Sequence, residues 1–134
     1  MARAVVPALP VHASTQMTCT DADAVEFAHS LGAQRVILAR ELSLDDIAAI
    51  RRSTAVELEV FVHGALCIAY SGQCLTSEAI GGRSANRGAC AQACRLPYGL
   101  VVDGTPRDTG DRAFLLSPED LEASDHVAAL AELG

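Results

Sequence analysis

Four cysteines, Cys67, Cys74, Cys90 and Cys94, follow a C-x6-C-x15-C-x3-C pattern, with Gly64, Gly72, Gly81, Gly82 and Gly88 before or between them. A thiolate is a soft ligand, and four of them select zinc or iron–sulfur chemistry. Glycine permits positive φ and close backbone approach, so a glycine-rich segment threaded with thiols can wrap a compact metal centre. Structural zinc usually sits between two C-x2-4-C knuckles, and only Cys90-x3-Cys94 has that spacing. A [4Fe–4S] cluster presents four separate iron corners and tolerates wider, irregular spacing. The spacing therefore favours a [4Fe–4S] cluster and keeps zinc as the alternative. Free buried thiols or disulfides are the third option.

Other side chains could join that chemistry. Arg83, Arg87 and Arg95 lie in the cysteine loop of a chain whose formal charge is −7. They could offset the net charge of about −2 on a cluster with four thiolates, bind an anionic substrate, or form a solvated face. Glu59 and His63 fall on one predicted strand face and form a candidate acid/base pair. His12 and Gln16, on the first predicted strand, are weighed alongside them. All four residues are equally at home as ordinary strand positions. Cys19 precedes a helix away from the loop and reads as a core thiol. His29 and His126 map to helix surfaces with no function expected. The sequence contains no G-x-S-x-G and no H-E-x-x-H.

Such residues need a scaffold to position them. Residues 9 to 17 alternate as a short strand. Thr20, with Asp23, is expected to cap a helix whose buried stripe is Ala24, Phe27, Ala28 and Leu31, ended by Gly32. Residues 34 to 40 suit a strand buried on both faces. Ser43, with Asp46, starts a second helix that buries Leu44, Ile47, Ala48 and Ile50. A third strand is expected over 56 to 63. Strand–helix–strand–helix–strand with short links predicts parallel βα units, whose sites form at the strand C-termini. Gln16, Arg40, Glu41 and His63 all map near those ends. Beyond the loop, residues 96 to 104 and 112 to 117 are expected to pair as a hairpin. Ser117-Pro118-Glu119-Asp120 has the form of a helix start, and the last eleven residues read as helix.

The 134 residues fit one domain at most, and half of them are apolar, enough for a real core. Acidic residues number 17 against 10 basic ones, all arginine, which argues against a whole surface built for nucleic acid. A local basic patch remains open. No apolar run reaches the roughly 18 to 20 residues a membrane helix needs, so no membrane partner is expected. Two prolines interrupt the apolar N-terminal stretch, which reads as strand and not as an export signal. The expected location is the cytoplasm, where clustered thiols point to metal or catalysis before disulfides.

The loop is also familiar as a family motif. EVFVHGALCIAYSGQCLTS, residues 59 to 77, resembles the signature of the U32 peptidase family, also described as collagenase-like proteases. GRSANRGACAQACR, residues 82 to 95, resembles that family's next block, and VHASTQM and LLSPEDL resemble its flanking segments. The resemblance covers most of the chain and is most specific over 59 to 95.

What the resemblance implies is a (β/α) TIM-type barrel, of which this chain would be a partial one: βαβαβ over 9–63, a cysteine-rich loop over 64–95, then a small hairpin and C-terminal helix over 96–134. It implies an iron–sulfur cluster on Cys67, Cys74 and Cys90, with the fourth ligand from Cys94 or from elsewhere. It implies either peptidase activity or support of hydroxylation of ribosomal or transfer RNA or of a quinone precursor. The expected partner is accordingly RNA, a small aromatic substrate or a peptide. Gln16, Arg83, Arg87 and Arg95 are the candidate substrate contacts. A full barrel takes about 250 residues, so the chain is expected to be a fragment whose exposed strand edges favour a homo-oligomer. A non-catalytic, zinc-stabilised binding module is the reading from outside enzymology.

Overall fold

The computed structural model describes residues 2–117 and 119–134. Pro118, expected at the first position of a helix, lies outside the described residues. After a single-turn helix α1 (Ala2–Val5), the chain runs β1 (His12–Ala13), α2 (Ala22–Ser30), β2 (Arg35–Ile37), α3 (Leu44–Ser53) and β3 (Glu57–Glu59). It continues through β4 (His63–Ala65), α4 (Thr76–Gly81), β5 (Leu100–Val102), β6 (Thr105–Arg107), β7 (Asp120–Glu122) and α5 (Val127–Leu133). Strands β1, β2 and β3 form a parallel sheet in that order, with His12 opposite Arg35 and Val36 opposite Leu58. The expected βαβαβ unit is therefore present in a mixed α/β fold.

Helix starts follow local chemistry. Ser43 and Asp46 form a reciprocal capping box: Ser43 Oγ accepts from the Asp46 N–H at 3.2 Å, and Asp46 Oδ2 accepts from the Ser43 N–H at 3.0 Å. Asp45 and Asp46 in the first turn and Arg51 and Arg52 in the last complement the helix dipole. For α2 the expected cap is displaced by one residue. Asp21 Oδ1, not Thr20, accepts from the Ala24 N–H at 2.8 Å.

The buried face is the expected one only in part. Ala28 enters the core and Ala24 packs against it, but Val25 is buried beside Ala28 while Phe27 and Leu31 are 61% and 64% exposed. Apolar residues lie on both sides of this helix, so periodicity alone does not select a face. The smaller pair permits close packing of α2 against α3 and β2. Leu38, Val36, Ile50 and Val56 complete the core together with Cys19. Burial of each large aliphatic side chain contributes roughly 1.5 to 3 kcal/mol.

Four further expectations are corrected. The first strand ends at Ala13, and Thr15–Met17 form a 3-10 turn closed by Thr18 at φ 53°, because the N–H groups of Met17 and Thr18 bond back to Ser14 and Thr15. The third strand stops at Glu59, and His63 belongs to β4, which pairs antiparallel with β7. The segment 120–122 that was expected to open a helix is therefore strand. The hairpin also closes earlier than expected. Asp103 and Gly104 both have positive φ, which suits a two-residue turn and pairs Val102 with Thr105, not with residues 112 to 117.

Candidate metal centre

Ser71 ties the cysteine loop to the C-terminal ends of β1 and β2. Its N–H and Oγ–H donate to Glu41 Oε1 and Oε2 at 3.0 and 2.8 Å, and its carbonyl accepts from Thr18 Oγ1 at 2.8 Å. Gly72 follows at φ +73°; a Cβ there would lie 2.5 Å from Thr18 Oγ1 and 2.7 Å from the Gln16 carbonyl. Only glycine lets the loop pass this close to the strand end.

Beyond that anchor, Cys67, Cys74, Cys90 and Cys94 line one cavity of about 130 Å³. All four are free thiols. Burial pushes the Cys94 thiol up, and the neighbouring Cys67, Cys90 and Cys74 add to the rise. Cys94 is thus near enough to each of the other three to feel its charge. Among the described residues, however, no three potential ligands are grouped closely enough to hold one metal ion. The sulfurs surround the cavity and do not meet at a point.

Supporting bonds fix the loop around the sulfurs. Asn86 Oδ1 accepts from the Cys74 N–H at 2.8 Å. Cys90 Sγ accepts from the Gln92 N–H at 3.3 Å and lies 3.8 Å from Ser77 Oγ, which in turn accepts from the Ala91 N–H. Gln92 reaches this geometry at φ 53°, in the left-handed region. The Ser117 N–H donates to the Cys94 carbonyl at 3.2 Å while its Oγ–H donates to the Leu66 carbonyl at 3.2 Å, so one buried serine braces the segments bearing Cys94 and Cys67. Donors aimed at ligating sulfurs and at their backbone are what orients a metal's ligands.

The remaining candidates divide. Gln16 and Arg40 line the same cavity as the cysteines. Arg95 reaches away from it, donating to the Glu119 carbonyl at 2.6 Å and to Asp120 Oδ1 at 2.7 Å, and so clamps β7. Arg83 Nε donates to the Ala89 carbonyl within the loop, and Arg87 is exposed. Glu59 and His63 fall in separate sheets, and Glu59 pairs with Arg35 at 3.4 Å. Their expected shared strand face does not exist. Cys19 is buried in the core, as its sequence position suggested. Ser71, Ser77, Asn86 and Ser117 escape sequence reasoning, since small polar residues in a loop carry no spacing signal of their own.

The profile of peptidase family U32 matches residues 1–134. The chain is 46% identical over 129 residues to a 23S rRNA 5-hydroxycytidine synthase of Escherichia coli, covering 96% of this chain and 20% of that protein. It is 39% identical over 137 residues to tRNA hydroxylation protein P1 of Bacillus subtilis, covering 98% and 32%. A Porphyromonas gingivalis protein named collagenase is 37% identical over 140 residues, covering 92% and 33%. The chain spans about a fifth to a third of the length of these curated relatives. No solved structure matches it. With its profile matched from end to end and its cysteine loop folded around one cavity, the chain belongs to peptidase family U32.

Proposed function

We propose that this chain is a sector of a (β/α) barrel protein that hydroxylates RNA, with a [4Fe–4S] cluster held by Cys67, Cys74, Cys90 and Cys94. The observation that carries this reading is the gathering of four cysteines, distant in sequence, around one cavity beside the parallel sheet. The cavity lining contains thiols and no carboxylate or imidazole, a donor set that suits a soft metal group. Zinc needs four sulfurs about 2.3 Å from one point, whereas a cluster binds them at separate corners. The irregular C-x6-C-x15-C-x3-C spacing favours the cluster over zinc.

A cluster bound here would supply one-electron transfer. The chain's own part is to hold and shield it. Ser71 and Gly72 dock the loop on the strand ends, Asn86 and Ser77 fix the backbone beside Cys74 and Cys90, and Ser117 sets the distance between the Cys67 and Cys94 segments. The names of the Escherichia coli and Bacillus subtilis relatives support RNA as the substrate class and, with it, a cytoplasmic protein. Exposed Arg83 and Arg87 in the cysteine loop are local cations available to a phosphate backbone in an otherwise acidic chain.

The collagenase name of one relative raises the peptidase alternative, but the site offers it little. Among the described residues, the histidine side-chain hydrogen bond is that of His29 to the Ala33 carbonyl, which leaves no serine, threonine or cysteine paired with a histidine. The deciding experiment is nucleoside mass spectrometry of rRNA and tRNA from a strain lacking the gene. Loss of a hydroxylated pyrimidine, restored by the wild-type gene but not by one with Cys67→Ser, is expected. An unchanged nucleoside profile would end the RNA reading.

A further inference from the structure

Arg40 follows β2 and lines the cysteine cavity. Its guanidinium carbon lies 4.1 Å from the centre of the Phe61 ring, and one terminal N–H donates to the Ala65 carbonyl at 3.2 Å. These two contacts fix the plane and direction of the group. Among the described residues, Arg40 Nε is the buried side-chain nitrogen left without an acceptor. No ion pair of the described residues includes it, and the adjacent carboxylate, Glu41, is spent on Ser71. Among the described residues the guanidinium thus stands at the cavity wall with no carboxylate to neutralise it.

We infer that Arg40 is the counter-charge of the metal centre: its positive charge, held at the wall of the cysteine cavity, raises the reduction potential of a thiolate-bound cluster there. The inference rests on the cluster reading above. Reduction adds negative charge to a centre that already carries about −2, and a fixed cation nearby stabilises the reduced form more than the oxidised one. Phe61 belongs to the same device, because its ring holds the guanidinium in place.

The test is the midpoint potential of anaerobically reconstituted protein, measured beside its iron and sulfide content, for wild type, Arg40→Gln, Arg40→Lys and Phe61→Leu. Arg40→Gln is expected to load iron and to shift the reduction equilibrium about tenfold toward the oxidised form, about 59 mV for a one-electron couple. Arg40→Lys, which keeps the charge but lacks the planar fork, should shift less. Phe61→Leu should shift in the same direction as Arg40→Gln. If Arg40→Gln fails to load, the Phe61→Leu potential decides. Iron-loaded variants with wild-type potentials would overturn the role of Arg40, leave the cluster reading intact and redirect the guanidinium to an anionic substrate. Wild-type protein that takes up no iron would end the cluster reading and the role of Arg40 together.

Discussion

The Glu41 carboxylate holds Ser71 at two points, its backbone N–H at 3.0 Å and its hydroxyl at 2.8 Å, across 30 residues of sequence. Burial pushes this carboxyl up, but the two bonds from Ser71 and the N–H groups of Glu41 and Arg40 outweigh it and hold it below its usual range. A carboxyl lowered by folding adds stability above its unfolded value of about 4.3, and that stability fades as pH falls through the lower folded value. Glu41→Gln should cost about 1 kcal/mol at pH 7, since solvent exposure weakens the charge-assisted bonds. In urea titrations the gap from wild type should close below about pH 4. A gap that persists unchanged at acid pH would refute the ionised clamp.

Gly72 is a steric requirement of the same junction. Alanine there meets both a left-handed φ and a Cβ contact of 2.7 Å with the Gln16 carbonyl, which is backbone and cannot swing aside. Gly72→Ala should lose roughly 2 kcal/mol or more. Gly88→Ala shares the positive φ but has open space around the new Cβ, so it should lose only about 1 kcal/mol. Equal melting temperatures for the two variants would show that the loop does not press on the β1 end.

How much of this was legible in the sequence depends on the distance each feature spans. The Ser43–Asp46 box is complete within four residues, so its residue types announce it. The cysteine spacing likewise singles out the four thiols that line one cavity. On α2 the places of Ala24 and Ala28 follow the periodicity, but Val25 competes with Phe27 and Leu31 for the core, and packing against β2 decides between them. The β4–β7 pairing joins His63 to Glu122, and no local pattern in the Ser117 region signals a strand; its Ser-Pro-Glu run imitates a helix start. The orphan Nε of Arg40 exists only once the loop has closed over β2.

Ser117 should matter to the metal more than to the fold. Its backbone bond to Cys94 survives any substitution, but Ser117→Ala removes the hydroxyl that satisfies the Leu66 carbonyl. Losing this part-buried bond costs about 1 kcal/mol, and the loss falls on the residue just before Cys67. Iron release to a chelator should be several-fold faster than in wild type, with far-ultraviolet circular dichroism unchanged. Equal release rates would place the brace outside the metal site.

Serine in place of each cysteine separates ligands from bystanders. Cys67, Cys74, Cys90 and Cys94 line the cavity, whereas Cys19 is 1% exposed in the core, with its Sγ directed at the Ala24 carbonyl at 3.6 Å. The four cavity variants should each lose most of their iron and sulfide on anaerobic reconstitution, because a hydroxyl is a hard and poorly ionised donor. Burial and the nearby Asp21 charge push the Cys19 thiol up, so it remains protonated and a poor ligand. Cys19→Ser should therefore keep the full metal content while losing about 1 kcal/mol in urea titration through the buried hydroxyl. If Cys94→Ser keeps its iron while the other three lose theirs, the fourth ligand comes from elsewhere, and the closeness of Cys94 to the other sulfurs would reflect packing alone. Loss of iron in Cys19→Ser would instead mean that the core and the metal loop fold as one cooperative unit.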